Sequence, residues 1–197
     1  IHIAGGALVQ IQDSKDINSI CEKIINEKIT IYNSVPALMN LVVDNMGEGD
    51  KSTLRVVLLS GDWIPLDLPK KVKEEFKNAL VVSLGGATES AIWSIYYEIN
   101  KELDSKWNSI PYGKPLKNQK IYILNTERKL CPVGVTGEIY IGGMGVALGY
   151  SGDRKLTDDA FIEHSLGRIY KTGDYGILCK EGVVKFLGRQ DLQVKIG

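Results

Sequence analysis

Residues 80–89, Leu-Val-Val-Ser-Leu-Gly-Gly-Ala-Thr-Glu, decide how this chain is read. A run of apolar, largely β-branched character reads as a strand buried on both faces, and two glycines then end it. A hydroxyl and a carboxylate follow directly. In a parallel sheet ligands bind beyond the carboxyl ends of the strands, where such polar residues collect. Two earlier runs repeat the pattern. Ile29-Thr30-Ile31-Tyr32 delivers Asn33-Ser34, and Arg55-Val56-Val57-Leu58-Leu59 delivers Ser60-Gly61-Asp62.

Helical patterns lie between these runs. Residues 17–27 place Ile17, Ile20, Cys21, Ile24 and Ile25 at helical spacing. Pro36 opens a helix carrying Leu38, Met39, Leu41, Val42 and Val43, and residues 67–78 form an amphipathic helix with Asp67 as N-cap and Pro69 in the first turn. The expected class is α/β: a parallel sheet flanked by helices over residues 1–112. From about Lys114 the pattern changes. Residues 120–124, 137–141 and 183–187 read as short strands set off by glycine-rich turns, predicting a small antiparallel β-barrel-like subdomain over residues 113–190.

Composition excludes several classes. The 197 residues hold 24 acidic and 24 basic side chains, so no net charge favours nucleic acid or a membrane surface. No apolar run is long enough to cross a bilayer, and no signal-peptide pattern opens the chain. Cys21, Cys131 and Cys179 are odd in number and far apart, which reads as reduced thiols in a cytoplasmic protein rather than a disulfide framework or zinc site. His2 and His164 offer no acid–base or metal constellation.

The motifs carry the chemistry. Gly85-Gly86-Ala87 lets a backbone approach a nucleotide closely. Thr88 and Glu89 could serve a phosphate oxygen and a hard cation. In Tyr170-Lys171-Thr172-Gly173-Asp174 the carboxylate of Asp174 can accept two hydrogen bonds from vicinal ribose hydroxyls. Gly188 precedes Arg189, whose guanidinium could reach phosphate or ribose oxygens. Each reads alone as a turn or surface residue; their order along one chain makes the combination specific. Gly142-Gly143-Met144-Gly145 is not a dinucleotide fingerprint, because no helix pattern follows it.

Taken together, Leu54 through Asp62, Gly86 through Glu89, Gly137 through Tyr150, Tyr170 through Asp174 and Gly188 through Lys195 resemble the middle portion of an adenylation domain of a nonribosomal peptide synthetase, within the adenylate-forming (AMP-binding) superfamily. The resemblance implies a ligase that joins a carboxylate substrate to ATP as an acyl-adenylate. The acyl group then passes to the phosphopantetheine thiol of a peptidyl carrier domain. It implies that Gly86, Ala87 and Thr88 approach the nucleotide, that Thr88 contacts phosphate and that Glu89 helps to hold Mg2+. It also implies Asp174 on the ribose, Arg189 on ribose or phosphate, Phe186 near the nucleotide, and Asp191 as the hinge, within residues 191–197, toward a C-terminal lid.

The family's usual loop has an asparagine, an aromatic that stacks on adenine, and a proline where this chain has Ser83, Gly85 and Ala87. The loop itself therefore offers adenine no ring. Members tied to thiazoline and siderophore-like products share this variant form. The specificity positions fall at Asn33, Leu58, Ser60, Leu84, Ile92 and Trp93, an order similar to cysteine-activating domains. Serine, threonine and small apolar amino acids are the near rivals. An aryl-acid or acyl-CoA ligase, or a non-catalytic interaction module, is the alternative. Neither end reads as a natural terminus. The resemblance puts a phosphate loop and an amino-group aspartate upstream, and the lid with its lysine downstream, so the segment alone is expected to have little adenylation activity.

Overall fold

A computed structural model describes residues 5–13, 15–99, 107 and 109–189. Its elements in chain order are α1 (Ile17–Asn26), β1 (Ile31–Ser34), α2 (Pro36–Asn45), β2 (Val56–Leu59), α3 (Leu68–Glu75), β3 (Leu80–Gly85), β4 (Ile95–Glu98), β5 (Lys114–Pro115), β6 (Gln119–Leu124), β7 (Thr136–Gly143), α4 (Arg154–Ala160), β8 (Phe161–His164), β9 (Gly167–Leu178) and β10 (Val184–Arg189). One sheet has the strand order β1-β2-β3-β4-β5; the other runs β10-β9-β7-β6, with β8 paired to β9. The chain groups into two compact units, residues 1–82 with 99–109, and residues 83–98 with 110–197. The expected change of pattern at 112/113 follows the switch from α/β to β sequence; the compact grouping places the loop after β3 with the β-rich unit instead.

In the first unit β1 and β2 pair in parallel, with Asn33 opposite Leu58 and Ser34 opposite Leu59. Their carboxyl ends therefore share one edge, and the Ser60 amide donates to the Ser34 carbonyl at 3.2 Å. The Asp16 side chain caps α1 by accepting from the Ser19 amide at 3.0 Å. The helix buries Ile20, Cys21 and Ile24 along one stripe. Pro36 stands at the start of α2, where its missing N–H costs nothing. Asp67 occupies the N-cap position of α3, but its side chain makes no capping bond; it lies 3.4 Å from Lys71 instead. Met39, Val42, Leu54, Val57, Leu59, Leu68, Val72 and Phe76 are wholly buried. Each large side chain so buried contributes roughly 1.5–3 kcal/mol.

In the second unit β4 and β5 are antiparallel, so the first sheet is mixed rather than purely parallel. The second sheet is antiparallel throughout. No closed barrel forms among the described residues. β7 is buried on both faces over Ile139–Ile141, which explains its unbroken apolar run. Ile95, Ile123, Ile139 and Val184 form one cluster. Leu124, Tyr140, Ile162 and Ile169 form another. Alternation along β6 and β7 sends neighbouring residues to opposite faces, hence two clusters on one sheet.

Candidate nucleotide site

The loop that ends β3 closes on itself. The Ser94 amide donates to the Gly85 carbonyl at 2.8 Å, and the Ser90 and Ile92 amides both donate to the Ala87 carbonyl at 2.9 Å. The buried Ser94 hydroxyl donates to the Ser90 carbonyl at 2.9 Å. A Cβ at Gly86 would lie 2.5 Å from the Ile92 carbonyl oxygen and 2.8 Å from the Ser94 nitrogen, so only glycine admits this fold-back. The closed loop presents Thr88, exposed, at the head of a single 3-10 turn, with the half-buried Glu89 next to it. Ala91 and Ile92 then adopt φ of 61° and 66°. For a β-branched residue that conformation is strained, and such strain concentrates at functional positions.

Glu89 is the most constrained group of the loop. The Tyr150 hydroxyl donates to its Oε1 at 2.7 Å, and the Ala147 amide donates to its backbone carbonyl at 2.8 Å. Tyr170 hydrogen-bonds both Tyr150 and Glu89. The three rings Tyr150, Phe161 and Tyr170 pack in series, with centroids 5.5 and 5.2 Å apart. Burial alone would raise the Glu89 carboxyl. The Tyr150 hydroxyl, its own backbone, Tyr170 and the Arg189 charge outweigh burial and hold it below the ordinary glutamate value. Glu89 is therefore an anion at neutral pH. Tyr170 is pushed well above the usual tyrosine range, by burial first and then by Tyr150 and the Glu89 charge.

Asp174 and Arg189 are direct partners across the β9–β10 ladder, with Arg189 Nη1 3.5 Å from Asp174 Oδ1 and side chains 27% and 18% exposed. Two irregularities aim them. Lys171 pairs with Tyr140 and Tyr175 with Glu138, so three residues of β9 oppose Ile139 alone. The buried Thr172 braces this bulge, donating to the Ile139 carbonyl at 2.7 Å and accepting from the Asp174 amide at 3.0 Å. Leu187 is the extra residue of β10, two positions before Arg189. Gly173 has φ 76°, and a Cβ there would meet Arg189 Nη2 at 2.9 Å.

The structure thus brings Gly86, Glu89, Asp174 and Arg189 into one electrostatic neighbourhood. Arg189 acts on Glu89, and Asp174 acts on Tyr112, whose hydroxyl hydrogen-bonds the Gly86 backbone. Ala87 and Thr88 join by chain continuity. Phe186 lies one ring away, 5.6 Å from Tyr112. A hollow lined by Arg128, Glu138, Tyr140, Lys171 and Tyr175 is a separate feature and contains none of the expected residues. Of the specificity positions, Asn33 and Leu58 are register partners in the first unit, and Ser60 follows β2. In the second unit Leu84 lies on β3, and Ile92 and Trp93 lie on the folded-back loop. Ile92 is 63% exposed, so core packing does not account for it. Asp191 lies outside the described residues. Sequence reasoning assigned no role to Tyr112, Tyr150 or Tyr170, although Tyr150 and Tyr170 stand at the ends of two of the quoted motifs.

The family model for AMP-binding enzymes matches residues 1–151. The chain belongs to the AMP-binding enzyme family. The match takes in the Gly86–Glu89 loop and Tyr150; the relatives extend over Asp174 and Arg189. Bacitracin synthase 1 of Bacillus licheniformis is 58% identical over 195 residues, 98% of this chain and 4% of that protein. Among solved structures, the nonribosomal peptide synthetase FmoA3 in its α-methyl-L-serine-AMP-bound form has a TM-score of 0.84 at 38% identity, over 90% of this chain and 21% of that one. Its AMPPNP-bound form has a TM-score of 0.85 at 36% identity, over 92% and 20%. The chain therefore spans between 4% and 21% of the length of these relatives.

Proposed function

We propose that this chain is the nucleotide-holding portion of an amino-acid-adenylating ligase of nonribosomal peptide synthesis, with cysteine as its amino acid. The observation that carries the reading is the cluster of Glu89, Asp174 and Arg189 around one loop within a single compact unit. Support also comes from FmoA3, described with bound AMPPNP and with an aminoacyl-AMP.

The reaction needs positioning and charge stabilisation rather than a covalent nucleophile. A substrate carboxylate oxygen attacks the α-phosphorus of ATP, the α–β phosphoanhydride bond breaks, and pyrophosphate leaves with the electron pair. A carrier phosphopantetheine thiolate then attacks the acyl carbon and AMP departs. Asp174 accepts from the ribose hydroxyls, Arg189 faces ribose or phosphate oxygen, and Thr88 donates to phosphate. No group of three metal-ligating side chains occurs among the described residues. One ionised carboxylate fits Mg2+, which takes one or two carboxylates and completes its shell from phosphates and water. Glu89 would hold that ion, which supplies charge neutralisation on the phosphates.

The assignment of cysteine rests on the order Asn33, Leu58, Ser60, Leu84, Ile92 and Trp93. Serine is the second reading, favoured by the α-methyl-L-serine-AMP form of FmoA3. Discrimination between such near-isosteres amounts to only about 1–3 kcal/mol. ATP–pyrophosphate exchange on the intact adenylation domain should be fastest with cysteine, slower with serine, and absent with salicylate. Fastest exchange with salicylate would assign an aryl-acid ligase. Absence of exchange with all three, and of any ATP–Mg2+ effect on Tm, would leave an interaction module. No helix among the described residues is long and apolar enough to cross a membrane.

A further inference from the structure

Gly85 and Tyr112 compete for one volume. A Cβ added at Gly85 would overlap Tyr112 Cε2 and lie 2.6 Å from Cζ and 2.7 Å from Cδ2. The tyrosine ring therefore stands where a side chain at position 85 would stand. It is held from several directions. Gly113, next in the chain, exchanges two backbone hydrogen bonds with Val184, at 3.0 and 2.7 Å. The Phe186 ring packs against it at 5.6 Å and 50°. The Tyr112 hydroxyl is pushed well above the usual tyrosine range by burial and then by the Asp174 charge, while a hydrogen bond with the Gly86 backbone pulls the other way.

Tyr112 as a residue is not fully buried; it stands beside the loop carrying Thr88 and Glu89 and within electrostatic reach of Asp174. A nucleotide with its ribose at Asp174 and its phosphates toward Thr88 and Arg189 must lay its base one ribose away. A purine is flat and gains from an aromatic face. We propose that Tyr112 supplies the aromatic wall for the purine of the bound nucleotide, standing in the volume that Gly85 vacates. The proposal rests on the adenylation reading above. It explains why a glycine is required at 85: a second ring there would have no space.

The test uses the intact adenylation domain with AMPPNP and Mg2+ as probe. Tyr112→Leu keeps apolar bulk for the core but removes the ring. It should weaken AMPPNP binding by about 5- to 100-fold and raise the KM for ATP, while the KM for the amino acid stays within about twofold. Tyr112→Phe keeps the ring and should bind nearly as wild type does. Unchanged AMPPNP affinity in folded Tyr112→Leu, or equal loss for ATP and amino acid, overturns the proposal. A second measurement needs no variant. With ring-labelled tyrosine, the wild-type domain saturated with AMPPNP should show contacts between adenine H2 or H8 and a tyrosine ring that are lost in Tyr112→Phe. Their absence from the wild type also overturns the proposal. If the wild-type domain binds no nucleotide at all, the adenylation reading itself has failed, a separate outcome.

Discussion

Tyr150→Phe isolates the hydrogen bond that holds Glu89. The ring, and its edge-on contact with Phe161, stay in place; only the hydroxyl 2.7 Å from Oε1 is removed. A hydrogen bond to a charged group contributes about 1.5–3 kcal/mol when buried. Glu89 is only half-buried, so solvent screening brings the expected loss to about 1 kcal/mol. Tyr170 and Arg189 still act on the carboxylate, so it rises toward the ordinary value without becoming neutral at pH 7. The sign follows from the depressed carboxyl. Its contribution to stability is present above the unfolded value of roughly 4.3 and is lost as pH falls through the folded value below that. The variant should therefore melt lower than wild type at pH 7, and the difference should vanish under strong acid. If an oriented Glu89 anion serves catalysis, ATP–pyrophosphate exchange at pH 7.5 should fall about 5-fold, the equivalent of roughly 1 kcal/mol. The acid limb of its pH profile should also move upward. The intact adenylation domain is the material, measured by exchange from pH 5 to 9 and by thermal melting. An unshifted acid limb with unchanged exchange would refute the claim that Tyr150 sets the state of Glu89.

Thr172→Val removes the brace of the β9 bulge without changing side-chain volume. It leaves the Ile139 carbonyl and the Asp174 amide each short of a partner, and urea unfolding should show a loss of about 2 kcal/mol; a change under 0.5 kcal/mol would mean the bulge holds without it. Cys21 is buried and its thiol is raised, by burial first and further by Glu75. Under native conditions iodoacetamide should modify Cys131 and Cys179 well before Cys21, and mass spectrometry showing Cys21 labelled first would contradict the packing of α1.

The α/β half was legible because its elements bury continuous or strictly periodic apolar runs. The end of β3 and the polar residues it delivers could be read directly from Leu80 through Glu89. The full length of β9 was not, although Tyr170–Asp174 was singled out for its chemistry at the end of a short strand. Gly173 and Gly176 break its apolar pattern, and the three-for-one bulge at Thr172–Asp174 destroys the alternation by which a strand is recognised. α4 escaped for another reason. It buries no residue, so no stripe marks it; its one signal is Asp153, whose side chain accepts from the Leu156 amide at 2.8 Å. Asp67 was readable as a cap position, but not as one whose carboxylate turns to Lys71 instead.

The site residues divide along the same line. Glu89, Asp174 and Arg189 stand out in sequence because charged groups beside glycines at strand ends have few structural uses. What joins them does not stand out. Tyr150 reaches Glu89 from 61 positions away, and Tyr112 fills the space beside Gly85 from a segment that reads as a mere boundary. Tyrosines at such places look like ordinary half-buried aromatics until the chain folds. Their arrangement also limits what the cluster can do unaided. Two carboxylates and one guanidinium leave it with a net negative charge, and a triphosphate brings more. Arg189, already within reach of Asp174, cannot offset both. On the proposed reading, a cation held at Glu89 would offset part of that charge. A depressed carboxyl suits that proposed role, since it stays ionised across the neutral range.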